Sequence, residues 1–171
     1  MKKIIALVMV GVWIATPAFA QSMRKHTDRK AKFSIDHPSN WQKTLNKEGV
    51  NFTVKSKDNL ANVQVMAAAV EADTSTVYFL SEVEKAASEQ HINRIPEENR
   101  VVATDDLTAM NVDEGAIGAY ILDYDGTKIK QLIMALRKNA TMYTIIVTFA
   151  EVGEEQYKDI AQRIGDSFKA L

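Results

Sequence analysis

The chain has 171 residues, with 21 lysines and arginines against 22 aspartates and glutamates, three histidines and no cysteine. A net charge of −1 gives no overall pull toward nucleic acid or anionic membranes. The missing cysteines exclude thiol catalysis, thiolate metal sites, disulfides and a lipid-modified cysteine.

The first twenty residues read as a cleavable secretory signal peptide. Lys2 and Lys3 supply a positive start, residues 4–14 form an apolar run, and Ala18, Phe19 and Ala20 make an A-x-A cleavage site. The run is interrupted by Gly11, closed by Thr16 and Pro17, and shorter than the about 20 apolar residues of a membrane span. Cleavage after Ala20 would leave 151 of the 171 residues, the size of one domain. Losing Lys2 and Lys3 takes the basic residues to 19 against 22 acidic ones, a mature charge of −3. The product is expected in the periplasm or secreted, starting at Gln21, with no stable membrane anchor. Arg24, Lys25, Arg29, Lys30 and Lys32 follow the site, oppose translocation, and read as a flexible basic arm over residues 21–32.

Residues 33–171 read as a single domain. Phe33 and Ile35 alternate with Ser34 and Asp36, which predicts a strand, and Pro38, Ser39 and Asn40 make a turn before Trp41. Residues 41–45 continue as a second strand, 46–49 as a turn, and 51–56 as a strand through Phe52 and Val54. In residues 62–70, Val63, Val65, Ala67 and Ala69 face one way and Gln64, Met66 and Ala68 the other. The second face is only weakly polar, which predicts a central strand covered on both sides. At Asp73 the period changes. Asp73, Thr74 and Ser75 offer capping oxygens, and Val77, Leu80, Val83 or Glu84, and Ala87 follow at helical spacing, predicting a helix to about Gln90. Residues 92–110 read as a connector around Pro96, Glu97 and Glu98, with a short strand near 100–103.

Three strands follow in succession, over residues 116–124, 128–137 and 142–149. Asp125 and Gly126 separate the first two and signal a tight hairpin; Lys138, Asn139 and Ala140 separate the next two. An amphipathic helix starts near Gly153, with Tyr157, Ile160, Ala161, Ile164, Phe168 and Leu171 along one stripe. Glu154 and Glu155 at its start and Lys169 near its end suit the helix dipole. Burying its five larger side chains would contribute roughly 8–15 kcal/mol before chain entropy, at about 1.5–3 kcal/mol each. The order strands, helix, meander, helix predicts an α+β domain: an antiparallel β-sheet flanked by helices on both faces, an α/β/α sandwich.

The residues Phe33, Ser34, Ile35, Asp36, His37, Pro38, Ser39, Asn40 and Trp41 resemble the F-x-I-x-aromatic-P-x-x-W opening of PsbP-type domains, with His37 at the aromatic position. The element order as far as Leu171 also resembles that superfamily, which includes DcrB-like periplasmic proteins and Mog-type nuclear-transport factors. The resemblance implies the same α/β/α sandwich and a mostly non-enzymatic role: PsbP is a lumenal accessory subunit of photosystem II, and other members bind partner proteins.

No residue pattern identifies a reaction, and no catalytic, cofactor-binding or metal-binding residue is assigned. His26, His37 and His91 lack a His or carboxylate partner at the i, i+4 spacing of a helical metal face. Asp123, Tyr124, Asp125 and Gly126 superficially resemble a calcium loop, but the twelfth position is Met134 where a bidentate glutamate is needed. Asp105, Asp106, Asp113 and Glu114 form an acidic stretch over 105–114, which could attract a hard cation or be a solvated face. No G-x-S-x-G, S-x-x-K or glycine-rich phosphate loop is present. The expected function is an exported accessory or protein-interaction domain holding a protein partner at a sheet edge or a groove beside a helix. The alternative is a periplasmic small-ligand or metal-ion binding protein; neither nucleic acid nor a membrane is expected as a partner.

Overall fold

A computed structural model describes residues 21–44, 48–89, 94–124 and 126–171. Residues 1–20, read as a signal peptide, lie outside the described residues, as do His91, Asp125 and residues 45–47 of the expected second strand and turn.

Strand β2 (Phe33–Pro38) forms where the alternation places it. The residues before it correct the expectation of a flexible arm. Residues 23–28 make strand β1 (Met23–Asp28), antiparallel to β2 from Met23 opposite Pro38 to Asp28 opposite Phe33. The cations stay in solvent while the strand pairs, and Met23 and His26 turn partly inward. Asp28 closes the hairpin: its Oδ1 accepts the N–H groups of Lys30 and Ala31, each at 2.9 Å. The domain therefore begins upstream of Phe33.

Seven further strands build one large sheet: β3 (Gln42–Lys43), β4 (Phe52–Lys55), β5 (Ala61–Ala69), β6 (Arg94–Val101), β7 (Glu114–Tyr124), β8 (Thr127–Lys138) and β9 (Thr141–Ala150). Their order is β3-β4-β5-β9-β8-β7-β6, antiparallel throughout. The meander β7–β8–β9 agrees with its sequence pattern. Gly126 (φ 79°) and Asn139 (φ 51°) take the left-handed backbone that the two tight turns need. The predicted connector at 92–110 is corrected. It contains the full edge strand β6, where Pro96 is tolerated beside a register shift between Pro96 and Glu98, and helix α2 (Thr104–Met110).

Helix α1 (Thr76–Glu89) packs on β6, β7 and β8, and helix α3 (Glu154–Asp166) packs on β2 and β9. Alternation along β8 puts them on opposite faces. Ile133 and Ala135 join Leu80 of α1 in one core, while Met134 and Leu136 join Tyr157, Ile160 and Ile164 of α3 in the other. The two-helix sandwich is thus as expected. Because α1 sits over β6–β8, it leaves β5 uncovered on that side, contrary to the expectation of two covered faces. Gln64 and Met66 are half-buried there and Ala68 is exposed.

The α3 stripe is buried through Phe168, but Leu171 is 56% exposed. The chain has already left the helix, and β10 (Lys169–Ala170) pairs with β2 opposite β1. The burial contribution of the stripe falls accordingly to roughly 6–12 kcal/mol for four large side chains.

Candidate functional site

Between α1 and the β6–β7 edge lies a cleft of about 210 Å³, lined by Val77, Leu80, Ser81, Glu84, Val101, Ala116 and Ile117. Val77 was expected on the buried stripe of α1. It is 53% exposed instead, and Leu80 carries the packing with Phe79 and Val83. The helix is turned so that one aliphatic edge lines the cleft mouth.

Two carboxylates fix that turn. Glu114, at the start of β7, reaches the N-terminus of α1. Its Oε1 accepts the Thr76 N–H at 3.0 Å, the Thr76 hydroxyl at 3.0 Å and the Ser75 hydroxyl at 3.2 Å. Its Oε2 accepts Arg137 Nη2 at 3.0 Å and Nε at 3.3 Å. Arg137 also donates through Nη1 to the Ala72 carbonyl at 2.9 Å, holding the chain that leads into the helix. Orphan N–H groups of a first helical turn are thereby satisfied from the sheet rather than by the expected local cap. Burial pushes the Glu114 pKa up, but hydrogen bonds from Thr76, Arg137 and Ser75 outweigh it and hold it below the ordinary value.

The second carboxylate is Glu84, whose Oε1 accepts the Tyr120 hydroxyl at 2.7 Å. The Tyr120 ring lies across Gly118, two residues earlier on the same face of β7. A Cβ at Gly118 would fall 2.6 Å from Tyr120 Cζ. Glycine is needed there for close approach. The other polar group in the cleft, the Ser81 hydroxyl, donates to the Tyr78 carbonyl at 2.7 Å.

The histidines lie elsewhere. His26 stacks on Phe52 of β4, centroids 4.1 Å apart at 14°, and His37 tilts against the same ring at 5.5 Å. Lys43 Nζ sits 5.6 Å from its centroid. Burial pushes both imidazole pKa values down, helped for His26 by Lys43 and for His37 by Arg24 and Lys43. His26 Nε2 is buried with no hydrogen-bond partner among the described residues. His37 Nδ1 lies 3.0 Å from the Pro38 carbonyl.

The acidic stretch at 105–114 does not converge. Asp105 and Asp106 are exposed in the first turn of α2. Asp113 turns to the β8–β9 turn, where its Oδ2 accepts the Asn139 N–H at 2.6 Å and its Oδ1 accepts Lys138 Nζ at 3.1 Å. Those two bonds hold its pKa down. Asp123 Oδ1 accepts the Gly126 N–H at 3.1 Å, a hairpin contact. Among the described residues no group of three His, Asp or Glu is placed to hold a metal, and no helix is long and apolar enough to cross a membrane.

Residues 21–170 match the family model for PsbP. The chain belongs to the PsbP family. The match begins at Gln21, and so includes β1. The cyanobacterial PsbP (CyanoP) of Synechocystis sp. PCC 6803 superimposes with a TM-score of 0.68 at 14% identity, over 97% of this chain and 98% of that one. The Ran-binding protein Mog1p of Saccharomyces cerevisiae gives 0.61 at 9% identity, over 88% and 96%. LpqN of Mycobacterium tuberculosis, involved in cell envelope biogenesis, gives 0.53 at 7% identity, over 90% and 86%. At such identities the likeness is one of fold. No curated protein sequence matches the chain at a significant level.

Proposed function

We propose that this PsbP-family chain is an exported, non-enzymatic accessory domain that holds a protein partner at the cleft between α1 and the β6–β7 edge. The observation that carries this reading is the placement of exposed apolar side chains. Among the described residues five large hydrophobic side chains are strongly exposed, and two of them, Val77 and Val101 (53% and 66%), line this one cleft. Clustered apolar exposure of this kind marks interaction surfaces. At about 210 Å³ the cleft is below the roughly 300–1,000 Å³ of small-molecule pockets, but it admits one or two apolar side chains. The fold is shared with a protein that binds Ran, which supports a binding role for such domains.

Site-specific photo-crosslinking tests the reading. A photoreactive residue at position 77 or 101 is expected to give the same partner adduct in cells, identified by mass spectrometry. The same residue at Glu155 on α3 should give none. Failure of both cleft positions to give an adduct would sink the proposal. Export is tested separately, by N-terminal sequencing of the protein from the periplasmic fraction. Lys2, Lys3 and the A-x-A site lead to an expected start at Gln21, and retention of residues 1–20 would overturn it.

A further inference from the structure

Charge is distributed very unevenly along the chain after residue 20. Residues 21–60 carry nine of the 19 basic residues and four acidic ones, whereas residues 61–171 carry ten basic and 18 acidic. The basic part of the chain folds into β1, β2, β3 and β4. Arg24, Lys25, Arg29, Lys30, Lys32 and Lys43 are all exposed, and among the described residues none is in an ion pair. Two acids lie beside them: Asp28, with one oxygen on the N–H groups of the hairpin turn, and Asp36, across from Lys25 on β2 but in no ion pair among the described residues.

This charge surrounds an open strand edge. In the order β1-β2-β10, β1 pairs on one side only, and among the described residues its outer backbone groups meet no other strand. One edge of the larger sheet, β6, is by contrast interrupted by Pro96 and a register shift, devices that block pairing. Arg24 lies opposite His37 and Lys25 opposite Asp36, so the two cations project to opposite faces of the small sheet. Positive charge therefore flanks the edge above and below. A flat anionic surface would reach one side of it. An extended strand laid along the edge would reach both, because its own side chains alternate between the two faces.

From this we infer that the β1 edge is a second docking site, one that receives an extended acidic polypeptide segment by strand addition. Backbone hydrogen bonds would supply register, and Asp or Glu side chains on successive positions would pair with Arg24 and Lys25. The same charge keeps the edge from pairing with a second copy of itself, since like charges directly opposite are unfavourable. The acidic remainder of the molecule repels such a segment and confines it to this end. The inference rests on the protein-interaction reading and adds the chemistry of a partner.

The test uses the full exported chain and three probes: a peptide of alternating glutamate and threonine, the matching lysine–threonine peptide, and phosphatidylglycerol vesicles. The acidic peptide is expected to bind, to shift the backbone amide signals of residues 23–28, and to weaken roughly tenfold or more when salt rises from about 50 to about 500 mM. The double variant R24Q/K25Q, altered only at exposed positions, should lose that binding roughly tenfold with unchanged thermal stability, and the lysine peptide should not bind. Vesicle binding as strong as peptide binding, acidic-peptide shifts confined to α1, or no acidic-peptide binding at millimolar concentration would each overturn the inference. Those failures with cleft crosslinks intact at positions 77 and 101 leave the wider interaction reading standing; loss of the crosslinks removes that reading as well.

Discussion

Replacing Glu114 tests how α1 is held over the sheet. In Glu114→Ala the Thr76 N–H and hydroxyl lose their acceptor, and Thr76 is fully buried. An unsatisfied buried donor costs about 1–3 kcal/mol. Glu114 itself keeps 29% side-chain exposure, so water can enter the space it leaves, and the low end applies to each donor. The Arg137 pair is partly screened and adds about 0.5–1 kcal/mol. The expected loss is about 2–4 kcal/mol, or a fall in Tm of roughly 4–16 °C at about 2–4 °C per kcal/mol for a domain of this size. Glu114→Gln keeps an acceptor for Thr76 but turns an amide toward Arg137, and should lose about half as much. Urea denaturation measures both, and amide exchange should show the first turns of α1 opening before β7 and β8. Because hydrogen bonding holds the Glu114 pKa below its ordinary 4.5, its contribution is complete above that pH and is lost as pH falls through the lower folded value. The difference between wild type and Glu114→Gln should shrink in that acid range. A loss below about 0.5 kcal/mol at pH 7, with α1 exchange unchanged, would refute the reasoning.

The other predictions concern the second anchor, the α3 side and the histidines. Gly118→Ala should cost about 1–3 kcal/mol by displacing the Tyr120 ring, and Tyr120→Phe should add little in that background if the Glu84 bond is already broken; a double-mutant cycle of melts decides. Tyr157→Phe removes the 2.6 Å bond from its hydroxyl to Asp58 Oδ2 and should cost about 1 kcal/mol. The Asp58 pKa, held low by the Ser56 hydroxyl and then by Tyr157, should rise in a carboxyl NMR titration. For His26 and His37, folded pKa values below the ordinary 6.5 mean that the unfolded chain binds protons first. Their stabilising effect is full above about pH 6.5 and declines as pH falls toward the folded values. His26→Gln should flatten the dependence of the urea midpoint between about pH 7.5 and 5.5; an unchanged slope would remove His26 from the account.

The fold was legible where one periodicity ran uninterrupted. The meander β7–β8–β9 and the α3 stripe show their alternation directly, and the nine-residue motif around Trp41 fixes β2. β1 was hidden because its cations dominate its composition, although a strand needs only backbone pairing and a few inward residues such as Met23 and His26. β6 was hidden by Pro96, which an edge strand accommodates. The Glu114–Arg137 pair was within reach: with a tight turn at 125–126, counting outward along the hairpin sets Glu114 opposite Arg137. What no local pattern contains is that Glu114 also reaches Thr76. That contact depends on how α1 crosses the sheet, as does the outward turn of Val77 that opens the cleft.

Strand β9 joins two parts of very different origin. On one side it continues a hairpin meander, and on the other it pairs along its whole length with β5, from which α1, β6, α2, β7 and β8 separate it in the chain. The hairpins close short loops and should assemble early, whereas the β5 pairing must wait for a distant segment. During that interval the edge bearing Tyr143, Ile145 and Val147 stands open. It is then the most adhesive line on the chain, so refolding yield should fall with protein concentration, and weakening β5 should worsen the loss more than weakening α3. The arrival of β5 buries that line within the finished sheet.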